Sequence, residues 1–271
     1  MDESQADELR MDPADDEDID GMAEKNPYEA ILTASGAARQ QVTQELYDDD
    51  HRKRAAADSG KLPSRSRLKK IAVLRAAIGR GHKSILELGC GIGDLTWALV
   101  DCAEKIVGVD VSPQALDDAR RRESLWHLSK QQAARVEFKP QSAVQLSFAD
   151  STFDCALSTS MVEHLHPEDL LSHFREVKRV LRPGGKYLVW CPNSLGHHKD
   201  RVGHLSMLSY AGWIEKMTQA GFHGYVSTLA NGMPLVDARY KVFLENVLSS
   251  LRVKILWTHL GVRNVFLLAG T

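Results

Sequence analysis

The chain is poor in cysteine: four stand in 271 residues, at positions 90, 102, 155 and 191, and none forms a CxxC pair. That spacing excludes a zinc ribbon or a disulfide framework. It predicts buried, reduced thiols in a cytoplasmic protein. No apolar run approaches the roughly 20 residues of a membrane span, and no N-terminal apolar stretch reads as a signal peptide. Net charge is also low, at −2, so the whole chain carries no electrostatic signature of nucleic-acid binding. No internal repeat is visible. Apolar content of 43% and charged content of 26% are ordinary for a soluble globular chain.

The low net charge conceals an asymmetry. The first twenty residues hold ten acids and one base, a charge of −9, which leaves +7 on the other 251 residues. A like-charged stretch without aromatic residues cannot bury enough apolar surface to offset its ordering entropy. Residues 1–25 are therefore expected to be a disordered acidic tail. Residues 26–65 read as an N-terminal helical lid or substrate segment, with helical stretches at 28–35 and 38–47. The main domain is expected over 66–271.

Within that domain short apolar runs alternate with helical patterns. The runs fall at 84–88, 105–110, 135–139, 153–159, 186–191, 222–228 and 264–270. Helices are expected through Leu68–Ile78, Leu95–Leu99, Pro113 to about Lys130, Glu168–Leu181 and Ser209–Ala220. Continuous apolar strands between amphipathic helices indicate a parallel sheet covered on both faces, the α/β doubly wound class. Residues 230–262 interrupt the alternation as an insertion holding a helix over Arg239–Leu251.

The stretch ILELGCGIGD, residues 85–94, ends the first strand and enters a helix. In open parallel sheets ligands bind beyond the carboxyl ends of the strands. Gly89 and Gly91 let the backbone turn and approach a ligand, and Gly93 allows close packing as the helix starts. The GxGxxG dinucleotide fingerprint fails, since Asp94 stands where its third glycine belongs. An acid at a helix N-terminus disfavours a pyrophosphate. A Walker A ending is absent. Glu87 beside the loop favours a cationic group, and Asp110, ending the second strand, is placed to accept hydrogen bonds from ribose hydroxyls. Asp110 also suits a helix-capping role ahead of Pro113. A ribose joined to a cationic amino-acid moiety, without phosphate, describes S-adenosylmethionine.

The ordered set ELGCGIG (87–93), VGVDVS (107–112), FDCALSTSMVEHL (153–165), LRPGGKYLVWCPN (181–193) and AGF (220–222) resembles the class I S-adenosylmethionine-dependent methyltransferases, in the type-11 and ubiquinone-biosynthesis-like branch. The resemblance covers about residues 66–228 and the final strand. It implies a Rossmann-like, seven-stranded sheet with the last strand antiparallel. By it Glu87, Gly89, Cys90 and Gly91 line the methionine end of the cofactor, Asp110 holds the ribose and Val111 flanks the adenine. Ser142 and Ala143 stand in the adenine-contacting stretch, with Ser142 where the family usually has an acid. Thr159 and Ser160 border the methyl-transfer channel.

His164, just past the fourth strand, is the candidate catalytic residue: histidine titrates near neutral pH and suits a general base. A structural role for the Glu163–His164 pair is the alternative. Glu163, His164, His166 and His204 could gather around a divalent ion, but their spacing matches no metal motif, and no metal is expected. His197, His198 and the rest of the 192–207 loop read as a polar substrate loop. Tyr28, Tyr47, His51 and Arg52 are candidates for a lid. Tyr210, Trp213 and Tyr240 suit either aromatic walls or simple packing. The expected activity is methyl transfer to an oxygen or nitrogen of a small-molecule acceptor. The alternatives are methylation of RNA or protein, a nicotinamide oxidoreductase, and a catalytically silent cofactor-binding protein. Neither a membrane nor nucleic acid is an expected partner, and the oligomeric state stays open.

Overall fold

The alternating runs build one eight-stranded sheet in the computed structural model, which describes residues 28–58, 61–194, 203–228, 235–251 and 264–271. The acidic tail, His197, His198 and parts of the 230–262 insertion lie outside the described residues. The strands are β1 (His82–Leu88), β2 (Ala103–Asp110), β3 (Val136–Pro140), β4 (Phe153–Thr159), β5 (Leu181–Pro192), β6 (His223–Thr228), β7 (Leu235–Asp237) and β8 (Asn264–Gly270). Their spatial order is β3-β2-β1-β4-β5-β8-β6-β7. The strands from β3 to β5 pair in parallel, and β8 runs antiparallel to both β5 and β6.

The expected seven strands are present, and the sheet gains an eighth. The segment read as an insertion supplies β7, three residues antiparallel to β6 at the sheet edge. A strand this short lacks the apolar run that identifies the others.

The helices are α1 (Glu29–Thr33), α2 (Gly36–Asp58), α3 (Arg65–Ile78), α4 (Asp94–Ala98), α5 (Pro113–Arg121), α6 (Lys130–Ala133), α7 (Leu170–Val180), α8 (Tyr210–Gln219) and α9 (Ala238–Leu251). None is long and apolar enough to cross a membrane. Strand side chains alternate between the two faces of a sheet. Leu86, Leu88, Val107 and Val109 pack with α7 and α8 residues such as Phe174 and Trp213. Ile85, Ile106 and Leu157 pack with Ile71 and Leu74 of α3. Tyr210 and Trp213 are fully buried in this core, so they are packing residues and not the walls of a site, whereas Tyr240 is 41% exposed.

The helix expected from Pro113 to about Lys130 stops at Arg121. A 3-10 turn follows over Arg122–Trp126, and His127 takes a left-handed conformation. The cause is tertiary. Arg122 is 7% exposed, ion-paired with Asp94 at 2.9 Å and donating to the Lys61 carbonyl at 2.7 Å. Drawing that guanidinium inward fixes the chain direction. Ser129 and Gln132 then cap α6 reciprocally. Residues 182–185, RPGG, put a bulge in β5: Phe153 pairs with Leu181, but Cys155 pairs with Lys186.

Helix α2 crosses the carboxyl end of the sheet as a strap. Near its start Arg39 pairs with Asp169 and Glu168, each at 3.0 Å, beyond β4. Farther along, Asp48 accepts a hydrogen bond from Ser112, just beyond β2.

Gly93 caps α4 in the left-handed region, at φ +76°. A Cβ there would stand 2.8 Å from both Ala119 Cβ and Phe138 Cζ. Gly93→Ala should therefore lower unfolding stability by about 1–3 kcal/mol. Urea denaturation with circular dichroism reads this directly, and an unchanged midpoint would contradict the packing.

Candidate active site

The end of β1 runs into the glycine loop, where Gly89 adopts φ +68°. A Cβ on Gly89 would come within 2.2 Å of Met161 Cγ. The loop therefore lies directly against the segment that follows β4. The Gly91 N–H donates to Asp110 Oδ2 at 2.8 Å, and the Ser112 N–H donates to Asp110 Oδ1 at 3.0 Å. Both carboxylate oxygens are thereby oriented at the tip of β2. Ser112 Oγ accepts from the Ala115 N–H at 3.0 Å and so caps α5. The carboxylate and the cap stand two residues apart with separate tasks, the capping falling to Ser112.

Glu87 is 2% exposed and accepts a hydrogen bond from the Thr96 hydroxyl. Burial pushes its carboxyl up to about 8, against the lowering effect of Thr96. A role as a surface acid is excluded. Asp94 is also buried, but it is ion-paired with Arg122 and with Arg67 at 3.1 Å. It does not face the loop as an uncompensated acid. Cys90 is buried, and burial holds its thiol well above its ordinary range. All four cysteines are free and buried.

The third rim comes from β3. The Gln141 N–H donates to the Asp110 carbonyl at 3.0 Å, which sets Ser142 and Ala143 beside β2. A polar chain that sequence reasoning missed holds this rim. His173 is fully buried, and burial lowers it to about 4, so the ring is neutral. Its Nδ1 lies 2.8 Å from the Ala143 carbonyl, which can only accept. Nδ1 therefore carries the proton, and Nε2 accepts from the Tyr187 hydroxyl at 2.8 Å. The Tyr187 oxygen in turn lies 2.7 Å from Ser158 Oγ. No spacing rule links His173 to Ala143 across thirty residues.

Beyond β4, Ser160 takes φ +52°, and its hydroxyl accepts from Lys70 Nζ at 3.2 Å. A non-glycine residue held there is strain of the kind found at functional sites. Thr159 ends the strand, paired with Trp190. His164 Nδ1 lies 2.8 Å from the Gly203 carbonyl, and the Ser206 N–H donates to the Glu163 carbonyl at 2.9 Å. These two bonds join the post-β4 loop to the 203–206 segment. Glu163, His164 and His204 come together with one ligand atom of each within 4.8 Å of the others. His166 is outside this group and lies 3.7 Å from Glu168. Glu163 is 1% exposed, and neither carboxylate oxygen has a hydrogen-bond partner. Burial pushes its carboxyl up to about 7, offset only weakly by its own backbone amide and the Lys70 charge.

The α2 strap closes over these groups. The Tyr47 ring meets His164 edge-on at 5.8 Å and Tyr28 at 6.1 Å. His51 Cε1 would be 3.6 Å from a Cβ on Gly91. Tyr28, Tyr47 and His51 of the anticipated lid thus stand over the site. Arg52 does not: it pairs with Asp49 on the same helix at 3.5 Å. Val111 lies half-buried at the β2 tip between Asp110 and Ser112.

A family model described as a methyltransferase domain matches residues 85–185. The chain is 29% identical over 155 residues to a sterol 4-C-methyltransferase of Caenorhabditis elegans, covering 56% of this chain and 45% of that protein. It is 29% identical over 124 residues to the ubiquinone/menaquinone biosynthesis C-methyltransferase of Cellvibrio japonicus, covering 45% and 47%. The match thus spans about half the length of these curated relatives. Among solved structures, phosphoethanolamine N-methyltransferase 1 of Haemonchus contortus, in complex with phosphoethanolamine and S-adenosylhomocysteine, has the same fold. Its TM-score is 0.58 at 13% identity, over 87% of this chain and 50% of that one. Together the match over residues 85–185 and these relatives support a class I S-adenosylmethionine-dependent methyltransferase.

Proposed function

We propose that the protein transfers a methyl group from S-adenosylmethionine to an oxygen or nitrogen of a small-molecule acceptor. The observation that carries this reading is the Asp110 carboxylate, fixed by the Gly91 and Ser112 amides beside a loop with no Cβ at Gly89 or Gly91. That carboxylate keeps lone pairs for ribose hydroxyls. Glu87 offers the cofactor's amino-acid end a buried acid, while Val111, Ser142 and Ala143 line the adenine side. When bound, S-adenosylmethionine supplies a methyl group on an electrophilic sulfonium. The protein's part is to align the acceptor and exclude water.

The α2 strap serves as the lid of this reading. Its ties at Arg39 and Asp48 span the two rims, and Tyr47 covers the ground between Asp110 and His164. A mouth closed by a helix favours a small acceptor over a polymer. His164 is the catalytic residue: the Gly203 carbonyl fixes its ring, and it acts on the acceptor. Thr159 and Ser160 border the path of the methyl group. The relatives named for sterol and quinone methylation support an acceptor of small-molecule size.

Calorimetric titration of S-adenosylhomocysteine, with NAD as the control, tests the cofactor assignment. The first should bind at one equivalent and NAD should not, and binding of NAD alone would overturn the reading. Asp110→Ala should weaken S-adenosylhomocysteine binding by about 1–3 kcal/mol, or roughly 5- to 150-fold, through loss of the ribose contact and the loop's anchor.

The buried acids also set a pH dependence. A carboxyl whose folded value is raised binds a proton in the folded state that the unfolded chain has released. Stability is therefore lost as pH rises from the ordinary carboxylate value of 4.5 to the folded value of about 8 for Glu87. The slope for one such group is at most about 1.4 kcal/mol per pH unit. Thermal melts of the ligand-free chain should fall across this window, and Glu87→Gln should flatten part of the decline. A variant profile parallel to wild type would show that Glu87 ionises normally.

A further inference from the structure

Glu163 presents an unsolved electrostatic problem. Its side chain is 1% exposed, and both oxygens lack a hydrogen-bond partner. Burying a carboxyl without partners is costly unless a cation or a proton compensates it. Lys70, whose charge reaches it, donates to Ser160 Oγ at 3.2 Å and stands 5.1 Å over the Trp190 ring. The groups gathered against Glu163 are instead two imidazoles, His164 and His204.

This cluster is held in place before any ligand arrives. The Gly203 carbonyl accepts from His164 Nδ1–H, and the Glu163 carbonyl accepts from the Ser206 N–H. Ser206 Oγ adds a bond to the Leu165 carbonyl at 2.7 Å. Three backbone-anchored bonds thus fix the two loops that carry the donors. A backbone carbonyl on one imidazole nitrogen is the usual partner of a metal-binding histidine, since it sets the tautomer and the ring plane. The donor atoms lie within 4.8 Å of one another. Bonds of about 2.0–2.2 Å to one ion place donors up to about 4.4 Å apart, so small side-chain rotations close the set.

We propose that Glu163, His164 and His204 bind a divalent transition-metal cation of the zinc class at the acceptor end of the site. Two imidazoles and one carboxylate suit such ions better than magnesium or calcium, which favour all-oxygen shells. Three protein ligands leave a coordination position for an outside group, the arrangement of catalytic rather than structural sites. Cation binding itself is independent of the methyltransferase reading. Its consequence for the acceptor rests on that reading: His164, its one remaining ring nitrogen on the ion, then acts on the acceptor through the cation and not directly, and the cation lowers the proton affinity of an acceptor oxygen. The acceptor class narrows to molecules that present a hydroxyl or phenol to the metal.

The test is calorimetric titration of zinc sulfate into the full chain after chelator treatment and dialysis. S-adenosylhomocysteine binding to each variant serves as the check of folding. Wild type should take up one equivalent. Glu163→Gln and His204→Ala should each weaken uptake by at least about 100-fold, since even outer-shell changes cost 10–100-fold. His166→Asn, outside the cluster, should match wild type. Thiol binding does not confuse the result, because all four cysteines are buried. Stoichiometric zinc retained by either cluster variant, loss on His166→Asn equal to that of the cluster variants, or no uptake by wild type would each overturn the site. Failure of wild type to bind S-adenosylhomocysteine while zinc binds would count against the cofactor assignment alone.

Discussion

The Asp110 carboxylate is the joint on which the ligand end of the molecule depends. One oxygen accepts from the glycine loop through Gly91, and the other accepts from Ser112. Ser112 passes the constraint on twice, capping α5 through Ala115 and donating to Asp48 of the strap. The backbone carbonyl of Asp110 accepts from Gln141 and so positions the Ser142–Ala143 rim. Loop, helix, strap and rim therefore share one residue. Its geometry comes from the strand beneath: β2 lies between β1 and β3, so the tip of Asp110 cannot shift without moving a packed, fully paired strand.

Much of this was legible in the sequence because it arises from local rules. The final strand falls at 264–270 as its apolar run requires, and Phe153–Thr159 matches its run residue for residue. Asp110, Gly89 and Gly91 were identifiable because strand ends and backbone turns have short-range signatures. The sequence marks 26–65 as a helical lid segment but shows the strap's helix only over 38–47, since its sequence is polar and nearly all its anchoring is tertiary. Arg39 finds its partners 129 and 130 residues away, and Asp48 finds Ser112 64 residues away. The break after Arg121 was hidden for the same reason, because Asp94 draws Arg122 inward from a distant helix.

The histidines show where the boundary falls. Reading along the chain brought His164, His166 and His204 together as candidates, since all follow carboxyl ends of strands. The structure admits His164 and His204, and leaves His166 beside Glu168. Two residues in sequence separate a histidine on Glu163 from one on the outer rim, and loop conformation decides between them. His173, which has no motif, proves to organise the Ser142–Ala143 rim through Ala143 and Tyr187.

The acids around the site have unequal weight, and the difference bears on what can bind. Asp94 is compensated by two guanidinium groups, so it adds little field at the loop. Glu87 and Glu163 have no such partners, and burial raises both. Asp110 stands between them with its oxygens fixed by amides. A ligand with positive charge at one end recovers part of the cost of burying these carboxyls, whereas a phosphate adds to it. The fold alone is shared by proteins of many functions. What distinguishes this site within the fold is which of its buried acids, Glu87 and Glu163, the chain has left without an ion-pair partner among the described residues.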